Sequence, residues 1–127
     1  MSTDEQKILY KELSYDIINA AIQVHNGLGP GFSEKIYEEA LCIELMNKHL
    51  QFERQKTIHV LYRDMKIGEY NVDLVIEGKI LVELKATAEH NSLFEAQVYS
   101  YLRATGLRLG LLLNFGTRKL THKRIVN

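Results

Sequence analysis

The sequence contains very little cysteine and proline and no tryptophan. Its 127 residues include one cysteine, Cys42, and one proline, and hydrophobic residues make up 46% of the chain. A lone cysteine excludes an internal disulfide framework and a zinc site built from a cysteine cluster. The ordinary globular composition excludes disorder as a description of the whole chain. We therefore expect a single domain over residues 1–127 in a reducing, intracellular setting.

Long apolar segments and familiar cofactor motifs are also missing. No apolar run approaches the roughly 20 residues of a membrane-spanning helix. The N-terminal segment MSTDEQKILYKEL is polar and acidic, so we expect no secretory signal, no membrane partner and a cytoplasmic location. The chain has no phosphate-binding loop, dinucleotide fingerprint or nucleophile elbow. Its five histidines are scattered without metal-ligand spacing.

Acidic residues are absent from the C-terminal part of the chain. Residues 96–127 hold six basic residues and no acid, whereas residues 1–44 hold eight acids and three bases. The net charge of zero therefore conceals a basic C-terminal end. Solvated surface charge explains such a distribution, and so does a polyanion bound at the basic end. The basic residues are Arg103, Arg108, Arg118, Lys119, Lys123 and Arg124.

Hydrophobic periodicity predicts the element order α-α-β-β-β-α-β-β. The predicted helices cover about residues 4–26, 33–48 and 92–104, with capping boxes at 3–6 and 92–95, a cap at Ser33 and a stop at Gly106. The predicted strands cover residues 52–62, 67–76, 80–86, 109–115 and 118–126, with hairpin turns at 63–66 and 77–79. This order predicts an α/β fold in which helices pack on a mixed sheet.

The hairpin around Gly78 has a register that its apolar residues select. A three-residue loop at 77–79 places on one face the apolar residues Val72, Leu74, Ile76, Ile80, Val82 and Leu84. A two-residue loop would mix polar and apolar residues on both faces, so burial of one face favours the longer loop. In this register Asp73 lies opposite Glu83, and Lys85 points to the same face.

Two carboxylates and a lysine at one place are typical of metal-assisted hydrolysis. Directly opposed like charges are destabilising, and a divalent cation bound between them reverses that cost. Carboxylate oxygens bind hard cations, and a lysine can orient or deprotonate a water. The alternative is a solvent-facing strand on which Lys85 pairs with Asp73 or Glu83. Two apolar residues on the same face, Val75 and Leu81, favour a face that is at least partly covered.

Two further pairs of residues could belong to the same site. Glu34 and Tyr37 share a face at the start of the second helix. The alternatives are a favourable helix-terminal acid for Glu34 and a core position for Tyr37. Gln97 and Tyr101 share a face of the third helix, and the alternative for Gln97 is the edge of a packing face.

Together these features resemble the GxxExxY family of the PD-(D/E)XK nuclease superfamily. The resemblance covers nearly the whole chain. Its motifs, in order, are Val24-His25, Gly31/Glu34/Tyr37, Asp73 followed by Glu83-Leu84-Lys85, Gln97/Tyr101 and the segment 110–115. One departure is Val72, which stands where many superfamily members have a proline before the aspartate. The resemblance implies a restriction-endonuclease-like core of a helix, a three-stranded meander, a helix and a further strand.

The resemblance also implies a role for each site residue. Asp73, Glu83 and Glu34 would bind one or two Mg²⁺ or Mn²⁺ ions, helped by the backbone carbonyl of Leu84. Lys85 would position the attacking water. Gln97 and Tyr101 look like the glutamine–tyrosine motif that orients the site and contacts substrate in the exonuclease-like branch. The other expected substrate contacts are Tyr37, Arg118, Lys119, Lys123 and Arg124.

The implied function is hydrolysis of phosphodiester bonds in nucleic acid, DNA foremost, by a metal-activated water. Two alternatives remain open: a catalytically silent nucleic-acid-binding module on the same fold, and an interaction subunit with a protein partner. A homodimer is compatible with the enzyme and with the binding module. Because a pure binder has no reason to gather three acids near a polyanion, the acids beside Lys85 favour the enzyme.

Overall fold

The computed structural model describes residues 8–127. The predicted capping box at residues 3–6 lies outside this range. Three helices occupy the described part of the chain: α1 (Lys11–Leu28), α2 (Glu34–Asn47) and α3 (Ser92–Thr105). Within the described residues, helix α1 begins at Lys11, directly after Tyr10, which adopts a left-handed conformation with φ of 50°; the start predicted at about residue 4 lies outside the described range. None of the described helices has the length and apolar character needed to cross a membrane.

Five strands form one mixed sheet in chain order. They are β1 (Phe52–Tyr62), β2 (Met65–Ile76), β3 (Ile80–Lys85), β4 (Leu109–Asn114) and β5 (Thr121–Val126). Strands β3 and β4 are parallel, and the other neighbouring pairs are antiparallel. Helix α3 provides the crossover that a parallel pair requires. The structure confirms the predicted element order and the mixed sheet packed against helices.

Helices cover both faces of the sheet, so the core has two parts. On one face, α1 and α2 bury residues such as Ile17 and Leu41 against Leu74, Val82 and Leu113. On the other face, α3 buries Val98 and Leu102 against Val75, Leu81 and Leu112. Strand β4 is buried along its whole length, as its continuous apolar sequence predicts. The sheet is therefore the middle layer of a three-layer domain.

The predicted three-residue loop at Gly78 is confirmed. Ile76 pairs with Ile80 and Leu74 pairs with Val82. The prediction that all six apolar residues share one face is wrong for Val72, which belongs to the cluster under α3. Leu74, only two residues away, packs under α1 and α2. Successive residues of β2 therefore stop alternating between the two faces of the sheet at Asp73. Asp73 lies opposite Gln55, whose φ is 48°.

Several boundaries differ from the sequence predictions. Ile36, predicted on the apolar stripe of α2, is 44% exposed. The cap of α3 is Asn91, whose side chain accepts from the Leu93 N–H, and not Ser92. The turn predicted at 63–66 is tighter, because two left-handed residues, Arg63 and Asp64, let β2 begin at residue 65. The last strand begins at residue 121 instead of 118.

Candidate active site

Asp73 and Glu83 lie where strands β2 and β3 separate. Backbone pairing of the two strands runs from Ile76↔Ile80 to Leu74↔Val82. Beyond it, the Asp73 N–H donates to Oε1 of Glu83 at 2.9 Å, and the Leu84 N–H donates to Oδ2 of Asp73 at 2.8 Å. Each carboxylate thus accepts a backbone N–H from the opposite strand. The two side chains meet at the point predicted from the hairpin register.

Burial makes this carboxylate pair electrostatically unusual. Glu83 is only 7% exposed. Burial, followed by the charge of Asp73, raises the pKa of Glu83 to about 8, although the Asp73 N–H and Lys85 oppose the shift. Burial likewise raises the pKa of Asp73, against the hydrogen bonds from Leu84 and Gln55. A cation placed beside the pair would favour the charged form of both groups.

Lys85, at the end of β3, places a positive charge beside these acids. Its charge acts on Asp73, Glu83 and Glu34, and in each case it lowers the carboxyl pKa. Its Nζ lies 4.5 Å from the centre of the Phe94 ring, in the first turn of α3. Such a cation–π contact restrains the amine. Phe94 was not predicted at the site, because an aromatic residue near a helix start is ordinarily a core residue.

Glu34 reaches the site from the first turn of α2. Partial burial raises its pKa, the charge of Asp73 raises it further, and Lys85 lowers it. Glu34 and Asp73 both line a cleft of about 390 Å³. Within residues 8–127, however, no three histidine, cysteine or acidic side chains converge closely enough to form a complete metal cage. Glu34 therefore lies at the rim of the site, beside the Asp73–Glu83 pair.

A second group of polar residues on the cleft wall was missed by the sequence analysis. The Gln55 amide donates to Oε1 of Glu38 at 2.7 Å and to Oδ1 of Asp73 at 3.2 Å. Arg54 donates to Oε2 of Glu38 through Nε at 3.1 Å and Nη2 at 2.9 Å. Glu38 lies one turn after Glu34 on α2, and that spacing is the one sequence signal that could have included it.

Tyr37 is a structural residue, which corrects the expectation that it contacts substrate. It is completely buried and stacks on Phe115 with ring centres 4.6 Å apart. Its hydroxyl donates to the Gly29 carbonyl at 2.5 Å and accepts from the Phe32 N–H at 3.2 Å. Tyr37 thereby fixes the loop before α2, and so fixes the start of the helix that carries Glu34. The core alternative for this residue is correct.

Gln97 and Tyr101 line a groove between α3 and the β1–β2 ribbon. The groove has a volume of about 410 Å³, and Ile58 and Tyr70 form part of its other wall. The rings of Tyr70 and Tyr101 are 5.5 Å apart. Burial, followed by the charge of Glu83, raises the pKa of Tyr101. The charges of Glu83 and Asp73 thus both act on Tyr101, although neither acid lines the groove that Tyr101 and Gln97 share.

The basic C-terminal residues fall into two groups. Arg118, Lys119 and Lys123 are exposed. Arg124 is used inside the fold, because its guanidinium donates to Oγ of Ser14 at 2.7 Å and to the Leu9 carbonyl at 2.6 Å. Arg124 therefore joins β5 to α1, which corrects the expectation that it contacts substrate.

The carboxylate oxygens at the point where β2 and β3 separate suit a small, hard divalent cation. Asp73 and Glu83 offer carboxylate oxygens, and each uses one oxygen for a backbone N–H. Mg²⁺ usually keeps several waters and takes only one or two protein carboxylates, so it does not require a complete protein cage. The raised pKa values of both acids fit a place where a cation supplies the missing positive charge.

Comparison with known proteins extends this description. A search of curated proteins finds no significant match. The crystal structure of SSO0001 superposes with a TM-score of 0.55 at 17% sequence identity, over 73% of this chain and 49% of that one. The chain thus spans about half of that protein, and at this identity the likeness concerns the fold alone. The family model of the PD-(D/E)XK nuclease superfamily matches residues 11–125. The mixed sheet and helix order agree with the restriction-endonuclease-like fold, and the chain belongs to the PD-(D/E)XK nuclease superfamily.

Proposed function

We propose that the protein is a nuclease that hydrolyses phosphodiester bonds of nucleic acid, with DNA as the principal substrate and Mg²⁺ or Mn²⁺ as cofactor. The observation that carries this proposal is the Asp73–Glu83 pair at the separation of β2 and β3, with Lys85 beside it. Membership of the superfamily supports metal-dependent nuclease chemistry.

The site residues have two roles, which are to bind the metal and to orient the attacking water. Asp73 and Glu83 would hold the cation, with the Leu84 carbonyl and Glu34 as further ligands. A divalent cation held there would supply Lewis-acid chemistry toward the phosphate and the attacking water. Lys85 would orient the attacking water through its ammonium group, which only donates hydrogen bonds, and the proton of the water would pass to solvent. The Phe94 ring keeps the amine of Lys85 on the α3 side of the site.

The exposed basic residues and the α3 groove give the substrate its contacts. Arg118, Lys119 and Lys123 bind phosphates without reading sequence, and Tyr101 and Gln97 contact the nucleotide next to the scissile bond. We expect selection of ends or structures instead of sequence, and products with a 5′-phosphate and a 3′-hydroxyl. We also assign the chain to the GxxExxY family on its motifs. A homodimer or a protein partner would enlarge the surface available to a duplex.

A nucleic-acid-binding module without catalysis is the second candidate. The rim position of Glu34 favours it, because the described residues do not complete a three-acid metal cage. Such a module would bind nucleic acid in chelator as well as in Mg²⁺, and it would cut nothing.

Cleavage of end-labelled nucleic acids tests the proposal. The substrates are single-stranded, double-stranded and branched DNA, and RNA, each with Mg²⁺, with Mn²⁺ and with chelator. We expect metal-dependent cutting that Asp73→Ala and Lys85→Ala each reduce by at least about 100-fold, since removal of one group that stabilises charge in the transition state typically costs 10²–10³-fold.

Lys79→Ala is the matched control, because Lys79 lies in the turn of the same hairpin, away from the carboxylates. This variant should cut like the wild type. Cutting that persists in chelator, or that survives both site substitutions, contradicts the proposal. Binding without any cutting supports the silent module.

A further inference from the structure

Gln55 occupies a strained position in the middle of a strand. Its φ of 48° lies in the left-handed region, which residues other than glycine and asparagine rarely adopt. The regular β1–β2 pairs Arg54↔Leu74 and Lys56↔Val72 flank it, so Gln55 stands opposite Asp73. Strain of this kind persists only where the surrounding structure imposes it, and it is concentrated at functional sites.

The Gln55 amide links two carboxylates on different elements. Its nitrogen lies 2.7 Å from Oε1 of Glu38 on α2 and 3.2 Å from Oδ1 of Asp73 on β2. Because ionised carboxylates only accept hydrogen bonds, the NH₂ group must be the part that faces them. Glu38 is itself buried and is held by two donors of Arg54. A connected series of hydrogen bonds therefore runs from Arg54 through Glu38 and Gln55 to Asp73.

This series fixes the orientation of the Asp73 carboxylate. The Leu84 N–H holds Oδ2 at 2.8 Å, and the Gln55 amide holds Oδ1. Each carboxylate oxygen has two lone pairs, so both oxygens keep one that is free for a cation. The Gln55 side chain is exposed and buries little apolar surface, so core packing does not account for its strained backbone.

We propose that Gln55 is a positioning residue that orients Asp73 for divalent-cation binding, braced through Glu38 by Arg54. This inference rests on the proposed function, since it concerns the same carboxylates. Removal of a hydrogen-bond partner behind a metal ligand typically weakens metal binding by about 10–100-fold. Gln55 should follow this pattern although it touches neither metal nor substrate.

Two substitutions separate the amide from the backbone strain. Gln55→Gly removes the amide and relieves the strain, whereas Gln55→Met keeps the length of the side chain and the strain but has no amide. Thr57→Ala is the control, because it removes an exposed hydrogen bond to Oδ1 of Asn71, 2.8 Å long, from the same strand. The measurements are the Mn²⁺ dissociation constant of the free protein, by electron paramagnetic resonance, and the thermal midpoint in chelator.

We expect both Gln55 variants to bind Mn²⁺ about 10–100-fold more weakly than the wild type. Gln55→Gly should keep or raise the thermal midpoint, and Thr57→Ala should bind Mn²⁺ like the wild type. Wild-type affinity in both Gln55 variants overturns the inference and leaves the proposed function intact. Weaker binding in Gln55→Met alone also overturns it, because the strain-free Gln55→Gly variant would then bind Mn²⁺ normally without the amide. A wild type that binds no Mn²⁺ refutes the proposed function and this inference together.

Discussion

At the scale of single residues, the side chains of Asp73 and Glu83 continue the β2–β3 pairing beyond Leu74 and Val82. Their carboxylates accept N–H groups from the opposite strand, so the backbone donors are satisfied while the strands separate. This arrangement costs free energy, because it places two acidic side chains next to each other where burial limits their contact with water. Such a cost is understandable where a cation is bound during function.

The pH dependence of stability follows from Glu83. Its pKa of about 8 is above the ordinary 4.5, so the folded protein retains a proton that the unfolded chain releases between these pH values. The contribution of Glu83 to stability should therefore be constant below pH 4.5, fall as pH rises from 4.5 to 8, and level off above. The total loss is on the order of 5 kcal/mol. Chemical denaturation in chelator across this range measures it.

Glu83→Gln supplies the control, because the amide keeps an oxygen for the Asp73 N–H but does not ionise. Its stability should change less with pH, and it should exceed that of the wild type at pH 9. The remaining slope belongs to the other shifted acids: the raised pKa values of Asp73 and Glu34 act with the same sign, and the lowered pKa values of Glu39 and Glu69 with the opposite sign. A wild-type stability that rises between pH 5 and 8 contradicts this account.

The site residues differ in how far the sequence could predict them. Asp73, Glu83 and Lys85 follow from the hairpin alone, since a short loop fixes the register locally. Gln55 and Glu38 come from other elements, and a glutamine or a glutamate among charged residues looks like ordinary surface. The pairing of β1 with β2 brings Gln55 opposite Asp73, and only the position of α2 against the sheet brings Glu38 to Gln55.

At the scale of elements, the end of β4 holds the segment that follows Lys85. Asn114 is buried, and its Oδ1 accepts the N–H groups of Thr87 at 3.1 Å and of Gly116 at 2.9 Å. The Phe115 N–H donates to the Lys85 carbonyl at 2.8 Å. This junction keeps the end of β3, and with it the lysine, in a fixed place.

Gly116 is the position at which this junction is most easily broken. A Cβ there would lie 2.3 Å from the Thr87 nitrogen and 2.5 Å from the Ala86 carbonyl carbon. These are backbone atoms that cannot rotate away, so Gly116→Ala should destabilise the protein by about 1–3 kcal/mol, the usual cost of overpacking. Urea denaturation measures the change in the free energy of unfolding.

Gly27→Ala is the matched control within α1, because a Cβ at Gly27 meets no atom within 4 Å. Since alanine is the better helix former, this variant should be as stable as the wild type or more stable, by up to about 1 kcal/mol. A Gly116→Ala variant with wild-type stability would refute the close approach of the two backbones.

The elements themselves were largely predictable, and the exceptions have physical causes. Periodicity indicated the order of helices and strands, because each buries one face. The change of face at Asp73 was not predictable, since its cause is a left-handed Gln55 where no glycine signals a bulge. The cap of α3 was misplaced because Asn91 and Ser92 are both good capping residues, and Glu95 bonds to His90 instead.

At the scale of the whole molecule, the basic residues at the C-terminal end differ in their surroundings. Arg118, Lys119 and Lys123 are exposed, whereas Arg124 binds Ser14 and the Leu9 carbonyl. The sequence revealed the charge but not this division, because it depends on how β5 packs beside α1.

Under the proposed function, the salt dependence of DNA binding would distinguish the exposed residues from Arg124. Each phosphate contact contributes a slope of roughly −0.9 to log K against log salt. Lys119→Ala should therefore weaken binding and reduce the slope by about one. Arg124→Ala should leave the slope unchanged and lower the free energy of unfolding by about 1–3 kcal/mol. Fluorescence anisotropy in chelator, between 50 and 200 mM salt, measures the slopes. An unchanged slope in Lys119→Ala argues against a phosphate contact there.

The central claim is that the Asp73–Glu83 pair binds a divalent cation. The most direct measurement is an anomalous difference map from crystals of the protein soaked in Mn²⁺, with Glu83→Gln crystals as the control. We predict a wild-type peak in contact with oxygens of both Asp73 and Glu83, and a weaker peak or none in the variant. A wild-type map without a peak at this pair, or with Mn²⁺ bound only elsewhere, would contradict the account.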